Sequence, residues 1–242
     1  MKLRRAIKNA LFPEIPSLQY LKPEEKVNVI EYENVNLLAT ILKTNRFKEY
    51  YTQVSERGFT EDHERLVSQY CFLKAKKDNL KVLDFGGALG FVYYLAQRAL
   101  PETRFDYTIV ETDFFVEKGK EHNQFVKFAK EIPKEHFDFV EINSTLQYFE
   151  DWKDLINKLS DTDWLHIGRT MSTVGESFKV KHYIKNNDGY LLFSVIDKYE
   201  LINYVKSLGF ELVDEFVTSR MLDVKDAPTE VFYSDLLFKK II

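Results

Sequence analysis

Residues 82–90 read Val-Leu-Asp-Phe-Gly-Gly-Ala-Leu-Gly, an order that can build a site for a nucleotide-sized ligand. Val82, Leu83 and Phe85 suit a buried strand. Gly86 and Gly87 suit a turn, and after Gly90 the run Phe91 to Gln97 can continue as a helix. Missing Cβ atoms let a ligand approach the backbone, and a helix start offers free N–H groups. Asp84 stands inside the apolar strand end, where a carboxylate needs partners such as a ligand ammonium or backbone N–H groups. A second acid, Glu111, ends the run Tyr107-Thr108-Ile109-Val110, 21 residues after Gly90. An acid at such a strand end can accept both hydrogen bonds of a ribose diol. Asp113 is an alternative for that role, or it caps the helix beginning near Phe114.

Two further strand ends supply polar groups. Phe137 to Ile142 is followed by Asn143-Ser144-Thr145-Leu146-Gln147-Tyr148, and Trp164 to Gly168 by Arg169-Thr170. In open parallel sheets ligands lie beyond the carboxyl ends of the strands, so Asn143, Ser144, Gln147, Tyr148 and Arg169 are expected at one rim. The alternatives are a polar loop that caps the next helix and, for Arg169, a structural salt bridge. An arginine there suits a phosphate or carboxylate on a second substrate. His182 follows in an inserted segment and is a candidate general base, because a free imidazole titrates near neutrality. His166 lies within a strand and reads as a core histidine. Glu131 is a loosely placed candidate for a purine contact. The histidines show no spacing that would assemble a metal site, so none is expected.

These residues need elements to hold them. Alternating strand and helix patterns give strands near 80–85, 106–111, 125–129, 137–143 and 163–168, and helices near 90–99, 114–121, 151–159 and 197–208. Such alternation predicts a mostly parallel α/β sheet with right-handed crossovers. Two strand-like runs, 210–217 and 231–239, follow Gly209 and predict a closing antiparallel pair. Upstream, Pro13, Pro16 and Pro23 mark an irregular wrap, and helical patterns run from Val35 to Gly58 and onward from Thr60. The expected division is a helical cover at 1–79 and a ligand-binding domain at 80–242.

The acid and glycine turn resemble the first motif of class I S-adenosylmethionine (SAM) methyltransferases. Gly86, Gly87 and Gly90 match it, while Ala88 stands where the middle glycine is usual, which argues against a positive φ there. The resemblance implies a Rossmann-like, seven-stranded sheet ending in an antiparallel hairpin, with SAM as cofactor. Asp84, Gly86, Gly87, Ala88, Gly90, Glu111, Asn143 and Ser144 would hold the cofactor. Gln147, Tyr148, Arg169 and His182 would face the acceptor. The dinucleotide spacing Gly-x-Gly-x-x-Gly is absent, and the kinase-like triplet Asp84-Phe85-Gly86 has none of its companion motifs. The chain is also similar, over roughly residues 32–240, to a bacterial family of methyltransferases associated with O-antigen and capsule gene sets. The Leu146-Gln147-Tyr148 run is the most specific piece of that similarity. It implies a small-molecule or glycan-linked acceptor in surface-polysaccharide biosynthesis, with O-methylation favoured. The competing readings are a nucleotide-dependent oxidoreductase and a catalytically idle scaffold.

Composition sets outer limits. The 242 residues are 45% hydrophobic and 15% aromatic, enough for a packed core. The net charge of −4 gives no polycationic surface, so nucleic acid is not an expected partner. Lys2, Arg4, Arg5 and Lys8, with Leu3, Ile7 and Leu11 at helical spacing, could make a weak peripheral contact with an anionic membrane. The single cysteine, Cys71, forms no internal disulfide and reads as helix packing; the expectation is a reduced cytoplasmic protein, with a peripheral place at the inner membrane open to it through that basic segment.

Overall fold

The computed structural model describes residues 18–29, 63–184 and 189–241. The basic N-terminal segment and the helical pattern at 35–58 lie outside them. Helix α1 is His63–Lys74. From there strand and helix alternate: β2 Asn79–Phe85, α2 Phe91–Ala99, β3 Arg104–Val110, α3 Asp113–His122, β4 Lys127–Ala129, β5 Phe137–Asn143, α4 Trp152–Lys158, β6 Thr162–Thr173. β1 is the short upstream strand Leu18–Tyr20. After β6 come a hairpin, β7 Phe178–Ile184 and β8 Gly189–Asp197, then α5 Lys198–Ser207, β9 Phe210–Leu222, β10 Val224–Lys225 and β11 Val231–Lys240.

The main sheet runs β4-β3-β2-β5-β6-β11-β9. Its first five strands are parallel, and β11 lies antiparallel between β6 and β9. This is the expected Rossmann-like arrangement, and it places the ends of β2, β3, β5 and β6 side by side. Side chains alternate across the sheet. Leu83, Val140, Leu165 and Leu236 pack with α4 and α5 residues such as Ile156 and Leu201 on one face. Val82, Phe139 and Leu237 pack with Val67, Phe72, Val92 and Tyr93 of α1 and α2 on the other. Burial of both faces explains why these strands read as near-continuous apolar runs.

The structure departs from the expectation after the fifth parallel strand. β6 does not stop at Gly168 but continues to Thr173, pairing with β11 through Ser172 and with β8 at Ser172 and Thr173. Arg169 therefore lies inside a strand, at a bulge, rather than just past one. The inserted segment is the β7–β8 hairpin, paired over seven residue pairs. β1 adds to β7, and β10 adds to β1, which forms a small second sheet beside the main one. Lys181 is ion-paired with Glu25, and the Tyr190 N–H donates to Asn28 O, so residues 18–29 are fastened to the hairpin. Among the described residues no helix is long and apolar enough to cross a membrane.

Candidate functional site

The glycine turn is held from both sides. Gly86 and Gly90 have φ of +76° and +87°, which only glycine adopts without strain. Ala88 also has a positive φ, +48°. This corrects the expectation that alanine would avoid that conformation. A local hydrogen bond offsets the strain: the Ala88 N–H donates to Glu111 Oε1 at 3.1 Å. Glu111 Oε2 accepts the Thr112 N–H at 2.8 Å. The strand-end glutamate thus braces the turn, with lone pairs left for a ligand diol. Burial raises the Glu111 pKa above the usual carboxylate range, against the two backbone donors. Asp113 is not the helix cap, a position held by Thr112, and it pairs in the open with Lys130 at 2.8 Å. Glu131 is exposed.

Asp84 is fully buried under the turn. Its Oδ2 accepts from Tyr107 Oη at 2.9 Å, and its Oδ1 has no hydrogen-bond partner. Burial, then the charge of Glu141, push its pKa well above the usual range. A Cβ on Gly87 would lie 2.3 Å from Asp84 Oδ2, so the backbone passes directly over the carboxylate. The N-terminus of α2, capped by Gly90, has no side-chain cap, which leaves its first N–H groups to a ligand or water.

The polar run after β5 forms the next part of the rim. Asn143 Nδ2 donates to Glu141 Oε1 at 3.2 Å and to Ser68 Oγ on α1 at 3.5 Å. Ser144 adopts φ +56° and donates its N–H to Gly168 O. Gln147 is buried, and its Nε2 donates to Ser144 O at 2.9 Å. That bond makes Gln147 a brace for the loop. Tyr148 is exposed, and its ring lies 5.1 Å from Phe193 of β8. His182 of β7 meets the same ring at 6.3 Å. The structure thus brings two acceptor-side candidates, 34 positions apart in sequence, to one aromatic side chain. The Arg169 guanidinium lies over the Tyr233 ring at 5.3 Å, and both Phe193 and Tyr233 pack on Met171, Val180, Val195 and Val231. Sequence reasoning missed Phe193 and Tyr233; their only signal was an aromatic in a β-like run, and this chain has many.

A separate polar cluster sits at the opposite ends of the strands. His136, Asp138 and Asp163 offer ligand atoms within 4.8 Å of one another. Lys77 Nζ contacts Asp138 at 2.5 Å and Asp163 at 3.0 Å, and His136 pairs with Asp161, so ion pairing accounts for the group.

No protein-family model matches the chain, and no curated protein matches it. Solved structures do. One is the Burkholderia thailandensis 1,6-didemethyltoxoflavin-N1-methyltransferase with 1,6-didemethyltoxoflavin and S-adenosylhomocysteine bound. It is 12% identical, with 93% of this chain and 100% of that one covered and a TM-score of 0.52. Coclaurine N-methyltransferase bound to N-methylheliamine and S-adenosylhomocysteine gives 13% identity, 76% and 75% coverage and a TM-score of 0.54. The N-terminal domain of EvdMO1, in the presence of S-adenosylhomocysteine and D-fucose, gives 12% identity, 98% and 97% coverage and a TM-score of 0.54. The chain therefore has the Rossmann-like fold of SAM-dependent methyltransferases, the likeness to these three covering 76–98% of it.

Proposed function

We propose that this chain is a SAM-dependent methyltransferase whose acceptor is a small molecule or a glycan-linked hydroxyl. The observation that carries the reading is the bracing of the glycine turn by a strand-end acid, in a fold whose solved examples include methyltransferases crystallised with S-adenosylhomocysteine. The residues fit the cofactor. Glu111 retains acceptor capacity for the ribose, Asp84 Oδ1 is a buried acceptor in want of a donor, and Asn143 and Ser144 stand beside them. When bound, SAM supplies an electrophilic methyl group on a sulfonium.

The chain's own residues would then hold the acceptor in line with that methyl and keep water out. Tyr148 and Phe193 offer a surface for an apolar or sugar face, and Arg169 a guanidinium for a phosphate or carboxylate. His182 would take the proton of a hydroxyl acceptor. A glycan-linked acceptor is favoured by the resemblance of 146–148 to surface-polysaccharide methyltransferases, and the EvdMO1 domain shows this fold in the presence of a sugar. The same resemblance favours a role in surface-polysaccharide biosynthesis, with the chain in the cytoplasm or against the inner membrane. The test is S-adenosylhomocysteine formation from SAM with a panel of nucleotide sugars and lipid-linked glycans, set against small amines. Turnover with a sugar hydroxyl is expected; turnover with amines alone would overturn the glycan reading.

Two predictions concern the cofactor. Glu111→Gln keeps the bulk but loses the charge, so S-adenosylhomocysteine should bind about 1.5–3 kcal/mol more weakly, the scale of a hydrogen bond to a charged group. Unchanged affinity in a calorimetric titration would remove Glu111 from the ribose site. The second concerns pH. Asp84 and Glu111 both hold protons more tightly in the ligand-free fold than free carboxyls do. A ligand that needs both as carboxylates must displace those protons. Affinity for SAM should therefore rise with pH above the ordinary carboxylate range of about 4, and binding should release protons. Titrations in buffers of different ionisation enthalpy read this directly; proton uptake would contradict it.

A further inference from the structure

Asp84 of β2, Glu141 of β5 and His166 of β6 stand in register in one row across the sheet, just beneath the site. None of the three has any exposed surface. His166 Nδ1 is 2.7 Å from Glu141 Oε2. His166 Nε2 has no hydrogen-bond partner and lies 3.9 Å from Oδ1 of Asp235, a buried carboxylate on β11. From α1 the Cys71 thiol faces the same ring. Gly168 makes room for this convergence: a Cβ there would come within 2.9 Å of His166 Cε1, 3.2 Å of Asp235 Oδ1 and 3.3 Å of Asn143 Cγ.

Each carboxylate that flanks His166 also holds part of the rim. Glu141 Oε1 accepts from Asn143 Nδ2, and Asn143 Oδ1 accepts the Ser144 hydroxyl at 3.3 Å. Asp235 Oδ1 accepts the Arg169 N–H at 3.1 Å. Ser144 and Arg169 both carry positive φ, +56° and +48°, a conformation that persists only where the surroundings impose it. The cofactor rim and the acceptor rim thus each hang from one carboxylate, and one imidazole lies between the two.

We propose that His166 is a positioning residue, a buried joint that sets Asn143 and Ser144 relative to Arg169 through Glu141 and Asp235. The names of the two rims rest on the methyltransferase reading; the joint itself does not. Only a doubly protonated imidazole can donate toward both carboxylates. Burial opposes that charge, the Glu141 carboxylate at 2.7 Å favours it, and the His166 pKa is held well above its ordinary value. Movement of Asp235 toward Nε2 would close the 3.9 Å gap to a hydrogen bond and carry the Arg169 backbone with it.

The test uses the full chain labelled with ¹⁵N, its His166 ring signals identified by their loss in His166→Gln. At pH 8, where a free imidazole is neutral, both His166 ring nitrogens are expected to carry protons. A neutral tautomer there would overturn the proposal. The second readout is hydrogen exchange at the Arg169 amide, set against S-adenosylhomocysteine affinity. In His166→Gln the Arg169 amide should exchange about tenfold faster, and the ligand should bind about tenfold more weakly, the loss expected for one hydrogen bond to a charged group. An unchanged Arg169 amide in a folded His166→Gln would also overturn it. If the variant does not fold, the ring signature of the natural protein still decides. If that protein binds no S-adenosylhomocysteine, the methyltransferase reading fails, while the ring and amide readouts judge the joint independently.

Discussion

Glu141→Ala should cost the fold about 3–5 kcal/mol, the penalty for removing one member of a buried ion pair. Glu141 has no exposed surface and meets His166 Nδ1 at 2.7 Å, and it also anchors Asn143. Its loss leaves the imidazole buried without its acceptor and the Asn143 carboxamide with only its 3.5 Å bond to Ser68. Replacing the pair together, by Glu141→Met with His166→Leu, should recover most of the loss, because no orphaned charge remains. The pH dependence has a definite sign. A His166 pKa raised in the fold gives a contribution that is complete below the unfolded value of about 6.5 and disappears as pH rises through the folded value. Urea unfolding of the three proteins across pH reads both effects. A single substitution as harmless as the double one would contradict the ion pair.

Gly87→Ala should remove cofactor binding while leaving most of the fold intact. The new Cβ would lie 2.3 Å from Asp84 Oδ2 and 2.4 Å from its Cγ, and Asp84 cannot swing aside without leaving Tyr107. Overpacking of this kind costs roughly 1–3 kcal/mol. Loss of the Asp84 contact adds to that in the complex, so S-adenosylhomocysteine should bind at least about a hundredfold more weakly, some 2.7 kcal/mol. Affinity within threefold of the natural chain would mean that the ligand makes no use of Asp84.

The sheet was legible because burial on both faces writes apolar runs, and the crossovers write helical periodicity between them. Strand β2, the glycine turn, Glu111 and the closing antiparallel pair fall where those patterns put them. The β7–β8 hairpin carried its own signals, although only an inserted segment was expected there. Phe178, Val180 and His182 alternate with Lys179 and Lys181, a strand signature, and Asn186-Asn187-Asp188-Gly189 is a turn signal in the sequence that follows. The extension of β6 through Arg169 was hidden by Gly168, which reads as an end and here makes room for three converging side chains. His166 was recognisable as a core histidine, whereas its partner Glu141 was not singled out. Two ionisable residues at the same height in adjacent apolar strands are the signal that would have paired them. Ala88 shows the limit of residue preference, since a hydrogen bond to Glu111 accompanies a conformation that alanine rarely takes.

The most direct measurement is a calorimetric titration of the purified chain with S-adenosylhomocysteine, with NAD titrated in parallel. The account predicts saturable, one-site binding of S-adenosylhomocysteine and no binding of NAD, with the first weakened in Glu111→Gln. Binding of NAD without binding of S-adenosylhomocysteine would contradict it.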